Sequence, residues 1–169
     1  MSQRILIVGV SESGKTTLAN RFLKGAKIPV FVHDPIYSQW ERCDGRFNNS
    51  DELRELIYPL KKSPCIVIID EAAEFFRVGQ AENHWVFSRG RHDAILPIAI
   101  AQRLKMMAPN VREQASDLYV FCSGVEASKI LAEEYNCEEL LAAPELSQGE
   151  FFHVRWQAGE RVCTAHALW

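Results

Sequence analysis

The sequence has no pair of cysteines at metal-binding or redox spacing. Cys43, Cys65, Cys122, Cys137 and Cys163 are five in number and scattered, so the chain spells neither a C-x-x-C element nor a disulfide framework. That usage suits a reducing compartment. Long apolar runs are also missing: no segment approaches the ~20 residues that a membrane-spanning helix needs, so no span is expected. Met1-Ser2-Gln3-Arg4 leads directly into an apolar segment, without the regions that make a signal peptide. A soluble, cytoplasmic protein is expected. Positive charge is in deficit, with 19 Lys and Arg against 22 Asp and Glu and a formal net charge of −3. This excludes a global basic field for holding nucleic acid, and any such contact must be local or assembled from several subunits. Internal repeats and low-complexity tracts are absent too. What is present is a chain of 169 residues, 47% of them hydrophobic, which is enough for one three-layer α/β domain spanning residues 1–169.

The densest signal is Gly9-Val10-Ser11-Glu12-Ser13-Gly14-Lys15-Thr16, which fits G-x-x-x-x-G-K-[ST]. Before it stands the apolar run Ile5-Leu6-Ile7-Val8, and after it the helix-competent Thr17-Leu18-Ala19-Asn20-Arg21-Phe22-Leu23. Glycines at both ends let the backbone curl, so that several N–H groups converge on one anion at the positive end of the following helix. In this phosphate loop Lys15 is placed to reach the β- and γ-phosphates of ATP, and Thr16 to put its hydroxyl on Mg²⁺. Thr17 closes the stretch expected to touch nucleotide.

Pro29-Val30-Phe31-Val32 reads as a second buried strand closed by His33-Asp34-Pro35, and Ile36 to Ser50 as loop. Ser50, Asp51 and Glu52 predict a capped helix running to about Leu60. Cys65-Ile66-Val67-Ile68-Ile69 is a continuous apolar run, as in the centre of a parallel sheet, and it ends in Asp70-Glu71. An acidic pair at the end of a buried strand downstream of a phosphate loop has the Walker B arrangement. Asp70 is the candidate ligand for Mg²⁺, and Glu71 the group that orients or deprotonates the attacking water. Glu74, one turn further on, reads as a solvated position.

Ala72 to Ser88 carries a helical pattern with a break at Gly79. Ala94 to Ala101 follows as a fourth strand, in which Pro97 predicts that pairing begins only after it. Gln102 then emerges at the same sheet edge as the phosphate loop and Asp70, where ligands of parallel α/β sheets bind. A short helix through Pro109, a strand at Leu118-Tyr119-Val120-Phe121, a helix from Ala127 to Tyr135 and a hairpin of Glu150–Trp156 with Arg161–His166 complete the chain. The fold class is α/β, a doubly wound and mainly parallel sheet with flanking helices and a C-terminal antiparallel β-hairpin.

Taken together, the phosphate loop, Asp70-Glu71, Gly90-Arg91-His92, Gln102, the cluster Pro109, Val111 and Arg112, and the late Gly149-Glu150-Phe151 resemble the FtsK/HerA superfamily of DNA-translocating ATPases. The likeness runs from Ile5 to about Trp156, and is greatest to the DNA-packaging ATPases of double-stranded DNA viruses. Glu12 departs from it, standing where many relatives carry a small residue. The resemblance implies a P-loop NTPase, RecA-like domain in which Lys15 and Thr16 bind nucleotide and Mg²⁺, Asp70 and Glu71 serve hydrolysis, and Gln102 is a sensor. It also implies an arginine finger given to a neighbouring subunit, for which Arg91 is the best match and Arg89 the reserve. Further implications are a homo-oligomeric ring of five or six subunits, double-stranded DNA as track, and a capsid or portal-vertex protein as partner, with location at a capsid vertex. Arg103, Lys105 and Arg112 are the nearest approach to a basic loop beyond the sheet edge, and read equally as a loop that lines a ring channel or as a solvated one. Two other readings share the phosphate loop: a small-molecule or nucleoside kinase, and a nucleotide-dependent assembly switch.

Overall fold

The computed structural model describes residues 3–169. Its elements run β1 (Ile5–Val8), α1 (Lys15–Leu23), β2 (Val30–His33), β3 (Gly45–Arg46), α2 (Ser50–Ile57), β4 (Cys65–Ile69), α3 (Ala72–Phe75), α4 (Trp85–Ser88), β5 (Ile95–Ala101), α5 (Pro109–Arg112), β6 (Asp117–Phe121), α6 (Val125–Glu134), β7 (Glu150–Gln157) and β8 (Glu160–Ala167). The strands form one sheet in the order β3-β2-β4-β5-β1-β6-β7-β8. Every contact from β3 to β6 is parallel, whereas β7 joins β6, and β8 joins β7, antiparallel. This is the mainly parallel α/β sheet with a terminal hairpin that the sequence predicts.

Continuous apolar runs arise because the central strands are buried on both faces. In β1, Ile5 and Ile7 join α1 residues Leu18, Ala19 and Leu23 in one apolar cluster, while Leu6 and Val8 join a larger one containing Leu53, Phe76, Phe87 and Leu131. The sheet is therefore a shared wall between two cores. Each fully buried Ile, Leu or Val contributes on the order of 2 kcal/mol.

Four local expectations are corrected. The segment Ile36–Ser50 is not all loop, because Gly45 and Arg46 pair with Phe31 and Val32 as a two-residue edge strand. Asn49, not Ser50, caps α2: its side chain accepts the Asp51 and Glu52 amides, both at 3.0 Å. Ser50 is instead buried, its amide donating to Asn83 and its hydroxyl to the Glu82 carbonyl. The region Ala72–Ser88 is two short helices around a 3-10 turn at Ala81–Asn83. The Asn83 amide donates to the Phe75 carbonyl at 3.0 Å, whereas a continuous helix would hold those residues about 12 Å apart. Finally, Pro97 lies inside β5 opposite Val67. Strand β1 joins the other flank only at Ile98, so the proline stands where that flank has no ladder to lose.

Candidate active site

The phosphate loop leaves the carboxyl end of β1 between two neighbours. The Gly9 amide donates to the Ala101 carbonyl at 3.2 Å, and the Val10 amide to the Cys122 carbonyl at 2.8 Å. Both loop glycines are sterically required. A Cβ on Gly9 would lie 2.7 Å from Ser13 Oγ and 2.8 Å from Phe121 Cβ, and Gly14 has φ +117° with Leu168 Cδ1 2.8 Å from its would-be Cβ. Lys15 then opens α1 from a buried position, its ammonium donating to the Val10 carbonyl, which also accepts Ser13 Oγ at 2.9 Å. Burial holds the Lys15 ammonium below its ordinary range, while Asp70 and Glu71 pull it back up. Glu12, Gly14, Lys15, Thr16 and Thr17, with Gln148 and Trp169, line a depression of about 240 Å³.

The acidic pair arrives from the end of β4. Burial pushes the Asp70 carboxyl up to about 6; the Glu71 amide, donating to it at 2.9 Å, and Lys15 oppose the rise, while Asp34 and Glu71 add to it. Glu71 sits in the left-handed region at φ +53°, a conformation that costs an ordinary side chain on the order of 1 kcal/mol and clusters at functional sites. Gln102 Nε2, at the end of β5, donates to Glu71 Oε1 at 3.1 Å. Thus Lys15, Asp70, Glu71 and Gln102, which are far apart in sequence, meet at one sheet edge. The oxygen donors there, the Thr16 hydroxyl and the Asp70 carboxylate, are hard ligands of the kind Mg²⁺ takes. A buried carboxyl raised this far by lack of compensation is a fitting neighbour for a cation.

Arg89 and Arg91 lie elsewhere. Arg89 immediately precedes the 3-10 turn Gly90–Asp93 and Arg91 lies within it, before β5 begins, and both are exposed. The seven residues of β5 span about 20 Å, so neither arginine approaches the phosphate loop of its own chain. Arg89 instead borders a cavity of about 740 Å³ shared with Arg54, Tyr58, Lys62 and Trp85. The proposed basic loop is also taken apart. Arg112 is buried and grips Glu134, with Nε 2.8 and 2.9 Å from its two oxygens and Nη1 donating to the Met107 carbonyl at 2.7 Å. Lys105 pairs with Glu126, leaving Arg103 exposed. Glu74 is exposed and within 3.5 Å of Arg77, as expected of a solvated position.

The fold has counterparts among known structures. The genome packaging NTPase B204 from Sulfolobus turreted icosahedral virus 2, in complex with ATP-gammaS, superposes with a TM-score of 0.76 at 18% identity over 96% of each chain. The fold is the P-loop NTPase fold. The same fold relates the chain to the N-terminal domain of zonular occludens toxin from Neisseria meningitidis, with a TM-score of 0.59 at 19% identity, over 99% of this chain and 95% of that one. It also relates it to the cytoplasmic domain of the Type VII secretion ATPase EccC of Thermomonospora curvata, at 0.62 and 13%, over 98% of this chain and 24% of that one. No protein-family model and no curated protein matches the sequence.

Two features of the site escape a reading by motif. Asp34, directly after β2, is a second carboxylate, with Glu71, whose negative charge helps to raise the Asp70 carboxyl. Burial alone would raise its own carboxyl, but hydrogen bonds from Trp40, Ile36 and Ser38 outweigh that and hold it below the usual range. An acid ending a buried strand was its available signal, the same one that marks Asp70. Gln148, Leu168 and Trp169 form the second feature. The Gly149 amide donates to the Ser13 carbonyl at 3.0 Å, Gln148 Nε2 donates to the Glu12 carbonyl at 3.0 Å, and the Leu168 carbonyl accepts Arg21 of α1 at 2.5 Å. Nothing in their spelling marks them as neighbours of the phosphate loop.

Proposed function

We propose that the chain is a Mg²⁺-dependent ATPase that works in a ring and couples hydrolysis to moving double-stranded DNA, as a viral genome-packaging motor subunit. The observation that carries this reading is the joining of Glu71 and Gln102 by one hydrogen bond beside Lys15 and Asp70. That set is suited to activating water and sensing phosphate. In this reading the loop amides and Lys15 hold the β- and γ-phosphates, with Lys15 exchanging the Val10 carbonyl for phosphate oxygen. Thr16 and Asp70 would hold Mg²⁺, which when bound supplies charge neutralisation at the phosphates. Glu71 orients the water and takes its proton, and Gln102 fixes the carboxylate in the rotamer for that task. The P-loop ATPase fold and its likeness to a genome packaging NTPase support the class of activity.

The placement of Arg89 and Arg91 at the opposite sheet edge supports a multi-subunit site, because an arginine there reaches only the phosphates of a neighbour. Arg91 is the proposed finger and Arg89 its reserve; a planar guanidinium suits charge spread over phosphoryl oxygens. The decisive experiment is steady-state phosphate release from ATP and Mg²⁺, with and without double-stranded DNA, using Lys15→Ala as the blank. Stimulation by DNA that disappears in the blank is expected. Turnover indifferent to DNA would remove the translocase reading, and a phosphorylated acceptor in place of free phosphate would make the protein a kinase.

A further inference from the structure

Two of the scattered cysteines are brought together by the fold. Cys137 follows α6 and is buried, and Cys163 lies on β8 opposite Val154, packed against the same apolar cluster. Glu139 stands over them, its Oε2 accepting the Cys137 thiol at 3.3 Å. The two sulfurs and the carboxylate oxygen all lie within 4.8 Å of one another. Around a tetrahedral Zn²⁺, bond lengths of about 2.3 Å to sulfur and 2.0–2.2 Å to oxygen put ligands about 3.5–3.8 Å apart, so the trio is already near that spacing. Arg161 lies two places before Cys163 on the same face of β8, with its guanidinium 4.8 Å from the Tyr135 ring centre and Nη1 buried without a hydrogen-bond partner.

We infer that Cys137, Cys163 and Glu139 form a binding site for one thiophilic divalent cation of the Zn²⁺ class, with water as the fourth ligand. Two sulfur donors select such ions over Mg²⁺ or Ca²⁺. The site ties the end of α6 to the terminal hairpin. Five residues beyond Cys163 on that hairpin, Leu168 packs on Gly14 and accepts Arg21, so the cation fastens the segment that backs the phosphate loop. It stands apart from the nucleotide chemistry and does not depend on the proposed ATPase activity.

The test uses the full chain, stripped with a chelator under reducing conditions and titrated with Co²⁺ and then Zn²⁺. One equivalent of Co²⁺ should produce thiolate-to-metal charge-transfer absorption that Zn²⁺ abolishes. The band should be lost in the Cys137→Ser, Cys163→Ser double variant and kept in Cys43→Ser. Should the double variant not fold, the parent alone answers by alkylation: Zn²⁺ at a hundredfold excess over its dissociation constant should slow labelling of Cys137 and Cys163, but not Cys43, about a hundredfold. Absence of the band, a band unchanged in a folded double variant, or unchanged labelling rates would overturn the site. So would an intact mass two hydrogens light, tracing to a Cys137–Cys163 disulfide that forms in place of metal binding.

Discussion

Replacing Asp70 by Asn should make the empty protein more stable while silencing it. Burial raises the Asp70 carboxyl from its ordinary 3.8 to about 6. Between those values the unfolded chain has released this proton and the folded chain still holds it, so folding stability falls as pH rises through the window. Above about pH 6 the loss is complete, and a gap of about two pH units at about 1.4 kcal/mol each amounts to about 3 kcal/mol. Asn keeps an oxygen for the Glu71 amide, now 2.9 Å away, and has no charge to desolvate. Lys15 loses a nearby anion in the exchange, which makes about 3 kcal/mol the upper bound of the gain. Urea unfolding of parent and variant, with chelator and without nucleotide, should give near-equal stabilities at about pH 4 and a gain for the variant of about 2–3 kcal/mol at about pH 7.5. A gain independent of pH, or a variant weaker than the parent at the higher pH, would refute the argument. Added Mg²⁺ should raise the stability of the parent only, since the variant lacks the carboxylate proposed to hold it.

Three further outcomes are expected. Glu71→Gln should lower phosphate release by about 10²–10⁴-fold, the usual worth of general-base help, while a fluorescent ATP analogue still binds, as read by titration and single-turnover hydrolysis. Arg91→Ala and Lys15→Ala, each inactive alone, should recover phosphate release when mixed, because one supplies the loop and the other the guanidinium; a mixture no better than its parts would exclude a finger in trans. Arg112→Ala should cost about 1–3 kcal/mol by removing the charge-assisted bonds to the half-buried Glu134, measurable by urea unfolding, yet leave the DNA-stimulation ratio of the folded fraction unchanged.

Legibility in the sequence followed the range of the interactions. The phosphate loop, the strands Ile5–Val8 and Cys65–Ile69, and the Asp70-Glu71 pair were readable because local spelling dictates them: glycines where side chains collide, and apolar runs where both strand faces are buried. Gln102 was placeable because parallel strands deliver their last residues to one edge. Edge strand β3 was hidden because it consists of two residues, Gly45 and Arg46, recruited by β2. The interruption after Phe75 was hidden because Asn83 enforces it through bonds to Phe75 and Ser50. Arg112 read as a free cation because its partner Glu134 lies 22 residues on, in another helix. The Cys137–Cys163 encounter was invisible for the same reason, since it exists only once the hairpin has paired with β6.

The contact between Ser13 and Gly149 bears on when the site comes into being. Glu12 and Gln148, bonded beside it, are 136 residues apart, and closing so long a loop is slow relative to forming local structure. The eight-residue motif thus supplies only part of the depression it lines, with Gln148 and Trp169 completing it. On the ribosome it emerges well before its backing by Leu168 and its bonds to Gln148 and Gly149 become possible. Backing of the loop therefore waits on docking of the hairpin, and a chain in which the hairpin is undocked carries the motif without its supporting wall.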